Sequence, residues 1–336
     1  MSRRGWVLFL ALSLIWGVPY LLLKIAVEDL SPAVVVLLRT ALAAAMLLPV
    51  ALLRGEVVPV LRRWRWVLVF AAIEIAAPFW LLGAAEQHLS SSLTGLLVAC
   101  VPLLGVLVAR LAGLQDRVEG RRLAGLLVGL AGVGMLVGLD VRGGDLVAAL
   151  AVVAAALGYA VGPVIAATRL DGLPGTGLSA VALAITAVAW APLAWAQRPV
   201  DPAAVPVVAW QAVVLLGALC TAVAFLVFFA LVSEVGPSRA TVITYLNPAV
   251  ALMLGVLVLD EPLTGGIVAG SVLVLLGSYL ATRRSAGQAP AVDGGAVAGG
   301  VGGAEGAEMG VLPSGSSSCS TGDSPTSRAA SSGTSS

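Results

Sequence analysis

Only 11% of the 336 residues are charged, whereas 59% are hydrophobic, and the mean hydropathy is +1.02. A soluble domain carries about 25% charged residues, so this chain cannot cover a globular surface, and its apolar residues must face lipid. The net charge is +1 and no basic stripe is interleaved with aromatics, so the sequence offers nothing to a nucleic acid.

The first residues, Met1-Ser2-Arg3-Arg4-Gly5, precede an apolar stretch over 6–23. That stretch exceeds a signal-peptide core of about 7–15 residues and no small-residue cleavage site follows it. It reads as a first spanning helix that is retained. Spanning the hydrocarbon takes roughly 20 apolar residues, and nine more segments follow: 32–53, 66–85, 93–112, 123–139, 146–167, 178–196, 207–232, 240–259 and 267–282. Period-2 alternation is absent, which argues against a β-barrel. The connections are short and rich in Pro, Gly, Asp and Arg, so no soluble domain fits between any two segments. The expected fold is therefore all-α and membrane-integral, with ten transmembrane helices. From Ser285 onward the composition turns to Gly, Ala, Ser, Thr and Pro. Such a stretch buries too little area to offset its ordering entropy, and 285–336 is expected to be a disordered cytoplasmic tail.

Basic residues orient the helices. With both termini in the cytoplasm, that side holds Arg3, Arg4, Arg54, Arg62, Arg63, Arg65, Arg110, Arg117, Arg121, Arg122, Arg169, Arg239, Arg283 and Arg284, a total of 14. The opposite side holds only Lys24, Arg142 and Arg198. One missed or invented helix would scramble this asymmetry.

The two halves resemble each other. An offset of 146 superposes Phe79 on Phe225, Ala84 on Ala230, Ser92 on Ser238 and Pro102 on Pro248, and a shift of one residue, to an offset of 145, aligns Gly125 with Gly270. Five helices is an odd number, so a second unit must insert upside down. The loop after the fourth segment carries Arg117, Arg121 and Arg122, whereas its counterpart, 260–266, carries no Lys or Arg. The expected units are therefore 1–140 and 141–284, an inverted-repeat arrangement recurrent among secondary transporters.

Residues 6–284 resemble the EamA-type transporters of the drug/metabolite transporter superfamily. The marks are Ile15-Trp16-Gly17, Ser31-Pro32 followed by Leu38-Arg39, and Leu89-Ser90-Ser91-Ser92 in the first half. In the second they are Asn247-Pro248 and the run from Leu259 to Thr264 ahead of a glycine-spaced last helix. The sequence departs from the pattern at Gln115-Asp116-Arg117, where the family often has a Glu-centred turn. The resemblance implies a ten-helix fold that moves small metabolites, often amino acids. It also implies that Trp16, Tyr20, Trp80, Tyr159, Tyr245 and Asn247 line the cavity, and that an arginine at the place of Arg39 has a fixed structural or gating role.

Glu74 lies near the middle of the third segment. A carboxyl at that depth costs at least about 2.5 kcal/mol and usually faces a cavity and has a use; the alternative is a neutral Glu hydrogen-bonded between helices. Pro78 has no N–H to bond the Glu74 carbonyl, so this turn offers a carboxyl and a freed acceptor together. Small multidrug-resistance relatives carry their essential carboxylate in the first helix. Here 7–23 contains no acid, which leaves Glu74 as the one acidic candidate well inside a segment. Arg39 either pairs inside the bundle or snorkels to the interface. Pro102 and Pro248 are structural or gating candidates, whereas Trp6, Trp64 and Trp66 read as interfacial anchors and His88 as a loop residue. Glycines in the fifth segment (Gly125, Gly129, Gly132, Gly134) and the tenth (Gly270, Gly277) point to close helix packing, with dimerisation as an alternative.

Cys100, Cys220 and Cys319 lack metal-ligand spacing, and no catalytic set, nucleotide fingerprint or ATP-binding motif is visible. No cofactor, metal or nucleic acid is expected. The expected partners are a small-molecule substrate and the lipid bilayer, in a multi-pass plasma-membrane protein that is a monomer or a homodimer. The reading is a secondary transporter, an exporter of small metabolites such as amino acids, working by alternating access and able to couple to protons. Its rivals are a non-transporting membrane sensor and a lipid-modifying membrane enzyme.

Overall fold

A computed structural model describes residues 2–113, 120–140, 145–236 and 243–282. The expectations that involve Gln115-Asp116-Arg117, Arg142, Ser238, Arg239 and the tail 285–336 lie outside the described residues, as do those for the side chains of Arg121 and Arg122. Among the described residues every regular element is helical.

Seven helical spans are long and apolar enough to cross a membrane: Arg3–Asp29, Pro32–Leu53, Trp64–Glu86, Ser91–Leu111, Leu146–Arg169, Gly175–Ala196 and Val207–Val235. Three shorter apolar helices, Leu123–Val137, Ile243–Val258 and Gly265–Ala281, complete the set. Each segment marked in the sequence falls on one of these, apart from 240–242, which are not described. Several are composite. The first is α1 (Arg3–Gly17) and α2 (Pro19–Asp29), separated where Pro19 has no N–H to give. Then come α3 (Pro32–Leu53), the short α4 (Val57–Arg62), and α5 (Trp64–Phe70) joined to α6 (Ala77–Glu86) by a π-helical segment, Ala71–Ala76. The fourth span breaks at Ala99 and Cys100 into α7 (Ser91–Val98) and α8 (Val101–Leu111), with Pro102 in the first turn of α8. There follow α9 (Gly120–Asp140), α10 (Leu146–Arg169), α11 (Gly175–Ala196), and α12 (Val207–Gly217) joined through a second π segment, Ala218–Val223, to α13 (Ala224–Val235). The last two are α14 (Ile243–Val258) and α15 (Gly265–Thr282).

Local chemistry starts these helices where serine permits. Ser2, Ser31 and Ser90 accept from the N–H of Gly5, Val34 and Leu93 respectively, each satisfying an orphan donor of a first turn. Pro32 occupies the first helical position, where its missing N–H costs nothing.

Lipid tails are as apolar as leucine, so packing between such helices relies on close van der Waals fit and small residues. The α9–α15 contact illustrates this. A Cβ on Gly125 would meet the Ala281 nitrogen at 2.5 Å, one on Gly132 the Val274 nitrogen at 2.6 Å, and one on Gly277 would overlap the Gly129 backbone. The glycines of the fifth and tenth segments thus pack on each other within the chain, except Gly134, which has open space beside it. Further close pairings join α3 with α11, α1 with α13 and α14, and α10 with α6, α7 and α8. One buried cluster runs through Leu23, Val27, Leu96, Leu97, Val152 and Leu216, and a second through Leu47, Ile75, Phe79 and Leu183. Tyr159 and Trp190 pack against both. Leu53, Val147, Val188 and Leu257 are among the exposed apolar side chains, as a lipid-facing surface requires.

Candidate transport site

The π segment Ala71–Ala76 places Glu74. Pro78 cannot close the ordinary turn onto residue 74, and the helix widens, with the Ala77 N–H reaching back five residues to the Ala72 carbonyl. The widened turn presses on two glycines of α10. A Cβ on Gly162 would overlap the Glu74 carboxyl, and one on Gly158 would overlap the Ile73 carbonyl and lie 2.9 Å from Pro78 Cγ. Glu74 is half-buried, and its Oε2 is buried without a hydrogen-bond partner.

Arg39 does not snorkel. Its side chain is buried within the bundle, where Nε donates to Thr221 Oγ1 at 2.9 Å and the guanidinium carbon lies 3.8 Å from the centroid of the Phe79 ring. Thr221 belongs to the second π segment, and its hydroxyl in turn donates to the Leu216 carbonyl, five residues back, at 2.7 Å. Ala218–Val223 falls one residue past the position that the offset of 146 assigns to Ala71–Ala76. The arginine of α3 is therefore held by the second π segment, as Glu74 is carried by the first. Tyr159 lies within electrostatic reach of both Arg39 and Glu74, and Tyr20 within reach of Arg39, Tyr159 and Glu86. Gly95 leaves room for the Tyr20 ring, 3.2 Å from where its Cβ would stand. Glu74 is thus linked to Arg39 and Tyr20 only through Tyr159, which packs against both apolar clusters.

The remaining sequence candidates make contacts of their own. Trp16 packs on Phe228, with ring centroids 5.3 Å apart, and Trp80 stacks on Trp190 at 5.8 Å. Asn247, in the amide orientation that satisfies its neighbours, donates to the Ser13 and Ile243 carbonyls and ties α14 to α1. Tyr245 donates to the Ser278 carbonyl at 3.2 Å and lines an apolar groove with Val272, Leu275, Leu276 and Tyr279, between α14 and α15. Pro248 is buried inside α14. His88 is exposed in the turn after α6, and Trp6, Trp64 and Trp66 are exposed, the last with Arg169 over its ring at 4.6 Å.

Glu74 is the acidic candidate well inside a marked segment, but a second acid is buried at a helix end, where the sequence marked none. Helix α6 runs one residue past the end assigned from sequence and buries Glu86 completely. Phe79, Leu82 and Glu86 are all buried at a spacing of three and four, so the polar side chain continues the apolar face. That periodicity was the available signal, and the polarity of Glu86 masked it. Lys24 Nζ donates to the Glu86 carbonyl at 2.7 Å and the Leu89 carbonyl at 3.0 Å. The Glu261 carboxylate accepts from the Ser91 N–H at 2.6 Å and the Ser92 N–H at 2.9 Å, so a residue of the family-like Leu259–Thr264 run caps α7 of the other half. Asp260, a non-glycine residue at φ 52°, makes the turn that aims it. Among the described residues the one ion pair is Arg54–Glu56 at 4.0 Å, so Lys24, Arg39, Glu74 and Glu86 are all unpaired.

The family model described as the EamA-like transporter family matches residues 3–138 and again 146–283. An "Uncharacterized inner membrane transporter YedA" of Escherichia coli (strain K12) is 29% identical over 280 residues, spanning 80% of this chain and 90% of that protein. An "Uncharacterized transporter" of Archaeoglobus fulgidus is 23% identical, spanning 84% and 99%. "Uncharacterized transporter YoaV" of Bacillus subtilis (strain 168) is 22% identical, spanning 81% and 94%. A solved protein crystal structure matches with a TM-score of 0.60 at 23% identity, covering 84% of this chain and 98% of that one, a likeness of fold.

Proposed function

Because the chain belongs to the EamA-like transporter family and is a multi-pass membrane transporter, we propose that it is a secondary transporter exporting small metabolites such as amino acids by alternating access, with protons as the coupling ion. The observation that carries this reading is the unpaired polar group of the interior. Glu74, with a buried and unpartnered oxygen, can take up a proton or meet an ammonium group. Arg39 spends one donor on Thr221 and, with its planar fork of N–H groups, suits a carboxylate. Tyr159 is within electrostatic reach of both and Tyr20 of Arg39, and Trp16, Trp80, Asn247 and Tyr245 are assigned to the cavity wall. Pro78, Pro102 and Pro248 interrupt helices that would have to bend or slide.

The ten helices form two inverted units, 1–140 and 141–284, in the plasma membrane, and 285–336 takes no part in transport. Several observations support this arrangement. The family model matches twice, the π segments lie within one residue of equivalent positions, and the packing of α1 on α13 and α14 mirrors that of α10 on α6 and α8. With both termini cytoplasmic, the hydrogen bonds between helix ends and loops distant in sequence each stay, among the described residues, on one side. Ser2 meets Glu234 and Arg63 meets the Arg169 and Asp171 carbonyls on the inside, whereas Lys24, Glu86 and Glu261 cluster on the outside.

Purified protein reconstituted into liposomes, with a pH gradient and a panel of amino acids and other small metabolites, tests the function. Saturable flux of some class of compound, accompanied by proton movement, is expected. Correctly inserted protein that moves nothing in the panel would overturn the reading. Cysteines at Asp201 and Arg63, probed with an impermeant thiol reagent on intact cells, should label only at 201; labelling at 63 inverts the orientation.

A further inference from the structure

Glu86 has no role in the site just assigned to substrate, although Tyr20 and Arg39 of that site lie within its electrostatic reach. It is completely buried at the end of α6, and neither carboxyl oxygen has a hydrogen-bond partner. Its neighbours are already committed. The Lys24 ammonium bonds the carbonyls of Glu86 and Leu89 rather than any carboxylate, and Glu261 is engaged by two backbone N–H groups of α7. Ser91 Oγ, beside Glu261, is likewise buried without a partner. The charged and titratable groups facing Glu86 are Lys24 and Tyr20 from α2, Arg39 from α3, and Glu261 from the loop before α15. His88, two residues on, is exposed.

A bare carboxylate in a dry site is costly, and a neutral carboxylic acid far less so. The described residues gather no three His, Cys, Asp or Glu side chains that could hold a metal, and an ammonium stands nearby. A proton is the ligand that this site fits. The same contacts tie helices together. Lys24 joins α2 to the turn between α6 and α7, and Glu261 joins the second half to the first. For the helices to part at this end, both sets of bonds must break.

We propose that Glu86 is a second proton-binding site, separate from Glu74, that latches this end of the bundle. With the end closed, Glu86 keeps its proton while Lys24 holds the two carbonyls. On opening, water reaches the carboxyl, the O–H bond breaks and the proton passes to water. Lys24, released from the carbonyls, then pairs with the new carboxylate, so net charge at the site changes only by the proton lost. The proposal takes from the preceding section only that this end opens and closes.

The test therefore reads opening without any substrate. Ser91→Cys replaces a buried, unpartnered hydroxyl with a near-isostere. Its labelling by a thiol reagent in lipid nanodiscs is measured as a ratio to Gln87→Cys, an exposed position in the neighbouring turn, which cancels the intrinsic pH dependence of the reaction. One proton released on opening should make the ratio fall about tenfold per pH unit on the acid side. In a Glu86→Gln background the ratio should stay low at every pH, and in a His88→Ala background the slope should persist. A ratio independent of pH overturns the proposal, as does a slope that survives Glu86→Gln or vanishes with His88→Ala. Should Glu86→Gln insert poorly, Glu86→Asp must retain the slope with a displaced midpoint. Failure to find a transported compound would leave this labelling result standing, so the two readings fail separately.

Discussion

The two π segments share a place in their halves and differ in chemistry. Ala71–Ala76 carries a carboxyl and has Pro78 two residues past its end; Ala218–Val223 carries Cys220 and Thr221 and is followed by Ala224 and Phe225, with no proline. The first turn presents an acid against Gly162, and the second holds Arg39 through Thr221. A proline therefore is not needed to widen the helix, since the second segment widens without one. Thr221 bonding five residues back is one device that serves instead. One π segment thus carries a charge itself, and the other holds a charge that α3 supplies.

Four variants break or sharpen this contrast. Glu74→Gln should fold and insert but lower transport in liposomes by about tenfold or more, a cost of about 1.4 kcal/mol, or abolish its pH response. Normal rates with an unchanged pH response would mean that the carboxyl is merely tolerated. Gly162→Ala puts a methyl group where the Glu74 carboxyl lies, and overpacking of this kind costs about 1–3 kcal/mol. Its melting temperature in detergent should fall with its transport rate, while Gly134→Ala, in open space, leaves both unchanged. Thr221→Val removes the anchor of Arg39 in the second π segment. A hydrogen bond to a charged group contributes about 1.5–3 kcal/mol, offset here because the guanidinium keeps Phe79 and can turn to water, so a several-fold fall in transport is expected with insertion intact. Pro78→Ala should have the smallest effect, a modest slowing, because its counterpart in the second half already manages without proline.

Apolar segments and their breaks were legible in the sequence because spanning length and hydropathy are local properties, and the asymmetry of Lys and Arg is a count. Glu74 and Arg39 were legible for a similar reason: a charge within an apolar run is conspicuous wherever it later packs. Glu86 was not, since a charged residue at the end of a segment looks like the start of a loop. Its burial depends on Lys24, which lies 62 residues away, and on the turn after α6.

By itself, then, the sequence determined that this protein lies in a bilayer, where its helices run and which of its charges are costly. Tertiary structure alone decided who meets whom. Arg39 reaches Thr221 across 182 residues, Glu261 caps α7 across 170, and the glycines of α9 find those of α15. The physical reason is the solvent. In lipid, a side chain facing tails and one facing a neighbouring helix are both apolar, so hydropathy distinguishes membrane from water but not one helix face from another. Only the packed bundle assigns each face its partner.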